Sequence, residues 1–201
     1  MRARRGQPIP SWPLPESAGT AYVDWGRYLA RPTALVMLRY SRALYAEPLE
    51  DFTARDLGRA MVHAARYFGG SPRRWQFERV DYGIATWGDG ALRFEPRVAE
   101  LAARCSAQLS VGAGVCRGLC ESAFYALPVE WILRCPRRRV TKASLRRLGA
   151  VLDEAARQTP HPFRADRTVA DVLADERAAL LPAPAGLEAL FEGEDDAALG
   201  T

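Results

Sequence analysis

Three short apolar runs follow one another with little chain between them, and that spacing restricts the fold more than any other feature. Tyr22 to Trp25, Thr33 to Tyr40 and Ala43 to Pro48 each have the length of a strand, and only Ser41 and Arg42 separate the last two. Connections this short predict an antiparallel meander. A helical pattern takes over at Thr53, a residue suited to cap a helix N-terminus. Leu57, Ala60, Met61, Ala64, Ala65 and Phe68 then recur at helical spacing until Gly69-Gly70 ends the run.

Beyond Pro72 the pattern alternates. It predicts a fourth strand over Arg74 to Glu78, a helix over Pro96 to Arg104 and a strand over Gln108 to Val111. A helix that carries Glu121 follows, starting near Val115. Three antiparallel strands, then helix, strand, helix, strand and helix, fit an α/β fold: a mixed five-stranded sheet with helices on its faces. The ribonuclease-H-like fold has this layout, and C-terminal helices follow it here, over Ser144 to Gln158 and Thr168 to Leu180. The expected organisation is an irregular, basic and proline-rich leader over 1–20, a core over 21–135, a helical extension over 136–184 and an acidic tail over 185–201. The tail, from Gly186 on, reads as loosely ordered.

With 201 residues, 48% of them apolar, the chain has material for one real core and a short extension. No apolar run approaches the roughly 20 residues that span a bilayer. The basic start of the leader lacks the apolar stretch of a signal peptide, which predicts a cytoplasmic protein with no membrane partner. The formal net charge of +4 permits a nucleic-acid partner. Lys142 is the only lysine, a skew that looks like coding bias and lowers the weight of any single arginine as a phosphate contact. Of four cysteines, Cys116 and Cys120 fall one helical turn apart, but His63 and His161 are distant in sequence; buried free thiols are the simpler reading.

Tyr22-Val23-Asp24-Trp25-Gly26 sets a carboxylate at the end of a rigid strand. Such an acid suits a metal site in phosphoryl chemistry, and it is also ordinary strand punctuation before a turn. In a ribonuclease-H-like layout the ends of the first and fourth strands meet the face of the last core helix. Those are the positions of Asp24, Glu78 and Glu121.

These residues belong to a longer series of motifs. Asp24-Trp25-Gly26 is followed by Tyr40-Ser41-Arg42, Tyr45-Ala46-Glu47, Phe68-Gly69-Gly70-Ser71-Pro72-Arg73 and Glu95-Pro96-Arg97, and then by Ala174-Asp175-Glu176-Arg177-Ala178-Ala179-Leu180-Leu181-Pro182. In this order, over about Thr20 to Pro184, the series resembles the catalytic region of IstA-type transposases of the insertion-sequence-21 family, relatives of retroviral-type integrases. The resemblance implies a triad of Asp24, Glu78 and Glu121 around two Mg²⁺ ions for in-line displacement at a DNA phosphate. It also implies DNA as substrate, a helper ATPase as a possible partner and work as a homo-oligomer. Arg73, Arg74, Arg117, Arg137, Arg138 and Arg139 are the candidate phosphate contacts, with solvated surface charge as the alternative.

The chain departs from the family pattern in three places. Where the family has Phe-Asp-Asn, this sequence has Phe77-Glu78-Arg79. The extra methylene displaces the second carboxylate, and Arg79 brings a cation that would pair with Glu78 and compete with Mg²⁺. Asp81 could replace Glu78 only if the strand end shifted by three residues. The loop before Glu121, rich in Arg, Pro and Lys in the family, keeps one arginine, Arg117, between Ser110 and Cys120. Only about 20 irregular residues stand ahead of the core, where the family has helix-turn-helix modules. The expectation is therefore a degenerate transposase-like core kept as a DNA- or protein-binding module, against an active Mg²⁺-dependent strand transferase or a nuclease using the same acids.

Overall fold

The computed structural model describes residues 18–81, 83–112, 117–127 and 141–192. The predicted meander is β1 (Thr20–Tyr28), β2 (Arg31–Leu38) and β3 (Leu44–Pro48). It forms one five-stranded sheet with β4 (Arg74–Phe77) and β7 (Gln108–Val111), in the order β3-β2-β1-β4-β7. The meander pairs are antiparallel, while β4 runs parallel to both β1 and β7. β1 and β2 extend past the apolar runs because their pairing continues through Gly26↔Thr33 to Tyr28↔Arg31.

Helix α1 (Ala54–Phe68) begins where Thr53 Oγ1 accepts the Asp56 amide and ends at Gly69, whose φ of 86° is the left-handed geometry that glycine adopts without strain. Helix α2 (Pro96–Arg104) has proline in its first turn, where a missing N–H costs nothing. With α4 (Lys142–Gln158) and α5 (Val169–Glu176) these helices cover one face of the sheet. That face holds the main core, built on Val23, Trp25, Val36, Met61, Phe68, Trp75 and Phe77. Helix α3 (Arg117–Tyr125) covers the other face, where Cys120 and Phe124 pack against Tyr22, Tyr28, Leu35 and Met37. Cys105 and Cys120 are buried and in no disulfide among the described residues, Cys116 and Cys135 lie outside the described residues, and no described helix is long and apolar enough to cross a membrane.

Two hairpins escape the apolar patterning. β5 (Ala85–Gly88) and β6 (Ala91–Phe94) are joined by Asp89-Gly90, both at positive φ, as a two-residue turn requires. β8 (Pro160–His161) and β9 (Arg164–Thr168) form the other, and its β9 end leads directly into α5. Both are short and mostly exposed, so their sequences carry little alternation.

The expectation of loose order from Gly186 onward is corrected for its first residues. Leu187–Leu190 form a 3-10 turn, and Leu187 and Phe191 are buried in the main core. Phe191 lies against Gly58 of α1, where a Cβ would overlap its ring. In an open helix Gly→Ala stabilises by about 1 kcal/mol; here Gly58→Ala is expected to destabilise by about 1–3 kcal/mol, the usual cost of overpacking. Urea unfolding checks this, and in a Phe191→Ala background the same change should become stabilising.

Candidate acidic site

Strand register brings two of the predicted acids together. Val23 lies opposite Phe77 in the parallel pair, and the Glu78 amide donates to the Val23 carbonyl at 3.1 Å. Asp24 and Glu78 are therefore neighbours on one face of the sheet, since successive side chains alternate between faces. Both are buried, Asp24 completely. Gly112 follows β7 at the same level and makes the space for Glu78. A Cβ there would come within 2.9 Å of Glu78 Oε1 and 2.6 Å of Gln76 Nε2.

Glu121 stands half-buried on α3, which packs on this same face. What connects it to Asp24 is Tyr28. The Tyr28 hydroxyl donates to Asp24 Oδ2 at 3.0 Å, and its ring lies 4.8 Å from that of Phe124 on α3. Burial pushes the Tyr28 hydroxyl well above the ordinary tyrosine range, and the Asp24 and Glu121 carboxylates push it further. It remains a proton donor to Asp24 at every physiological pH. Tyr28 is absent from the sequence-based site, although it lies four residues beyond Asp24 on the same face of β1. Gly26, between them, allows the contact, because a Cβ there would press on the Tyr28 ring at 3.2 Å. Each letter of Asp24-Trp25-Gly26 thus has a separate duty: acid, core side chain and clearance for the tyrosine.

Arg79 completes the site. Its guanidinium lies over the Trp25 indole, 5.3 Å from the ring centroid, with Nε 3.7 Å from Asp24 Oδ1 and 3.8 Å from Asp81 Oδ1. The expected partner was Glu78. The observed ion pairs are with Asp24 and Asp81, and the guanidinium reaches them from over the Trp25 ring. Asp81 is thereby engaged with Arg79.

No protein-family model matches this sequence, and no curated protein is significantly similar to it. Solved structures do match. The catalytic core domain of BIV integrase superposes with a TM-score of 0.57 at 10% identity, over 81% of this chain and 98% of that one. The chain has the integrase-core fold. The HTLV-2 integrase catalytic core domain in complex with magnesium, in a trimeric form, matches with a TM-score of 0.49 at 13% identity, over 76% of this chain and 93% of that one.

Within this integrase-core fold Asp24 and Glu78 share one face of the sheet, with Arg79 beside Asp24. A two-metal site needs carboxylates converging on shared cations. Among the described residues no three His, Cys, Asp or Glu side chains come together closely enough to hold a metal ion. The cation beside Asp24 is the guanidinium of Arg79, held by an aromatic ring and a second carboxylate.

The candidate DNA contacts are scattered. Arg73 and Arg74 are exposed at the start of β4, Arg74 about 13 Å and Arg73 about 16 Å along the strand from Glu78 at about 3.3 Å per residue. Arg73 Nε donates to the Ala179 carbonyl and Arg74 Nη2 to Gln108 Oε1. With Arg39, which the sequence reading did not single out, they line a cavity of about 400 Å³ that Gln76 and Gln108 also border. Arg117 starts α3, but its side chain lies outside the described residues, as do Arg137, Arg138 and Arg139.

Proposed function

We propose that this chain is a transposase- or integrase-like core that has given up metal-dependent strand transfer and serves as a DNA-binding module. The observation that carries the reading is the Arg79 guanidinium against buried Asp24. A fixed cation there answers the acid's charge without a metal, so Asp24 acts as a structural ion-pair partner and the chemistry of the fold is silent. The basic cavity of Arg39, Arg73 and Arg74 is suited to backbone phosphates. It lies at the far end of β4 from the acids, so a phosphate held there would not be presented to them. A cytoplasmic location, a helper ATPase and self-association stay compatible with this role.

A second reading draws on the shared face of Asp24 and Glu78, with Glu121 opposite: an active Mg²⁺-dependent strand transferase or nuclease. One pair of measurements separates the two. In supercoiled-plasmid nicking with Mn²⁺, wild type and Asp24→Ala should be indistinguishable; nicking by wild type alone would establish the second reading. In fluorescence anisotropy with a labelled duplex, three phosphate contacts predict about a 40-fold loss of affinity between 50 and 200 mM salt. Arg73→Ala with Arg74→Ala should flatten that dependence. A wild type that does not bind DNA even at 50 mM salt would transfer the role to a protein partner.

A further inference from the structure

Tyr45-Ala46-Glu47 takes no part in the acidic site, yet it is built like one. It lies on β3, the outer strand of the sheet beyond β2, and Glu47 is 1% exposed. Glu47 Oε2 accepts the Tyr45 hydroxyl at 2.6 Å and faces His63 Nδ1 at 2.9 Å. A buried carboxylate at that distance assigns the Nδ1 proton to the side facing Glu47 and leaves Nε2 as the ring atom for other partners. The imidazole borders a cavity of about 300 Å³ between α1, β3 and α4. Tyr45 and Tyr67 line it, as do Arg66 and Arg146, both exposed. Arg66 is ion-paired with Glu188, whereas among the described residues Arg146 has no ion-pair partner.

Gly149 is the second sign of a purposeful space. It sits inside α4, where glycine weakens a helix relative to alanine. A Cβ there would meet nothing nearer than Tyr67 Cδ2 at 4.0 Å, so no close contact within the chain demands a glycine. Its bare Cα forms part of the cavity wall, where a larger side chain would enter the space.

We propose that this cavity binds a small molecule joining a flat ring to an anionic group, either a phosphate monoester or a carboxylate. The ring packs against Tyr45 and Tyr67, His63 Nε2 makes the orienting hydrogen bond, and Arg146 meets the anion. The test is calorimetric titration of the full chain with adenosine monophosphate, benzoate, adenosine and inorganic phosphate. At least one of the two charged ring probes should bind with a submillimolar Kd, at least tenfold tighter than adenosine or phosphate alone; which of the two binds better tells phosphate from carboxylate. Gly149→Leu, which fills the space, and Arg146→Ala should each lower that affinity tenfold or more while leaving salt-dependent DNA binding unchanged. No binding of either charged ring by wild type would overturn the proposal. So would equal binding of adenosine, or unaltered binding by Gly149→Leu.

Discussion

Replacing Glu176 with alanine is expected to cost about 3–5 kcal/mol, a large share of the 5–15 kcal/mol that holds an ordinary domain together. Glu176 ends α5 at 1% exposure, and its two oxygens accept the backbone amides of Gly19 at 2.9 Å and Ser41 at 2.8 Å. Hydrogen bonds to a charged acceptor contribute about 1.5–3 kcal/mol each, and removing the acceptor leaves both amides buried and unmet. Those amides belong to the residue before β1 and to the turn between β2 and β3. The loss would therefore be felt by the meander as well as by the C-terminal helix. Glu176→Gln, which keeps one carbonyl oxygen, should cost less. Urea unfolding measures both, and a loss below about 1 kcal/mol for the alanine variant would show that water or a neighbouring group replaces the carboxylate.

The neighbours of Glu176 join two of the sequence motifs. Arg177 Nε donates to the Phe68 carbonyl at 3.1 Å, and Ser71 and Leu181 exchange backbone hydrogen bonds at 2.8 and 2.7 Å. Arg73 Nε donates to Ala179. Phe68 to Arg73 and Ala174 to Pro182 are thus the two halves of one junction, although some hundred residues separate them. The sequence shows both halves but not their meeting, because nothing in local pattern reports on a partner so remote. What it did disclose is local. Thr53 and Gly69 bound α1, Pro96 opens α2, and the apolar runs mark the sheet strands, since caps and periodicity act within a few residues. Asp24 and Glu78 were legible as neighbours because topology alone brings the ends of β1 and β4 together. Tyr28 and the docking of Phe191 were not. Both depend on a glycine, Gly26 or Gly58, whose meaning lies in what fills the space above it.

The second large effect concerns Arg79 and tests whether its guanidinium occupies a place that a metal ion could take beside Asp24. Arg79→Asn should first destabilise the protein by about 2–3 kcal/mol, because buried Asp24 loses its counter-charge and the pair is only partly exposed at Arg79. Combined with Glu78→Asp, which shortens the second acid, the change produces the residue pattern that the sequence resemblance associates with metal binding. Mn²⁺ should then stabilise the double variant. At a hundred times its Kd the gain is about 2.7 kcal/mol, or roughly 5–11 °C in Tm at about 2–4 °C per kcal/mol for a chain of this size. Wild type should show no shift over the same titration. An equal shift in wild type would mean that Mn²⁺ displaces Arg79 unaided, and the inactive reading would fail. A folded double variant with no shift would show that Asp24, its new neighbour and Glu121 stand too far apart, so that loss of the site lies in the backbone as well as in one arginine. The measurement thus separates a metal site held shut by a single side chain from one the sheet no longer forms.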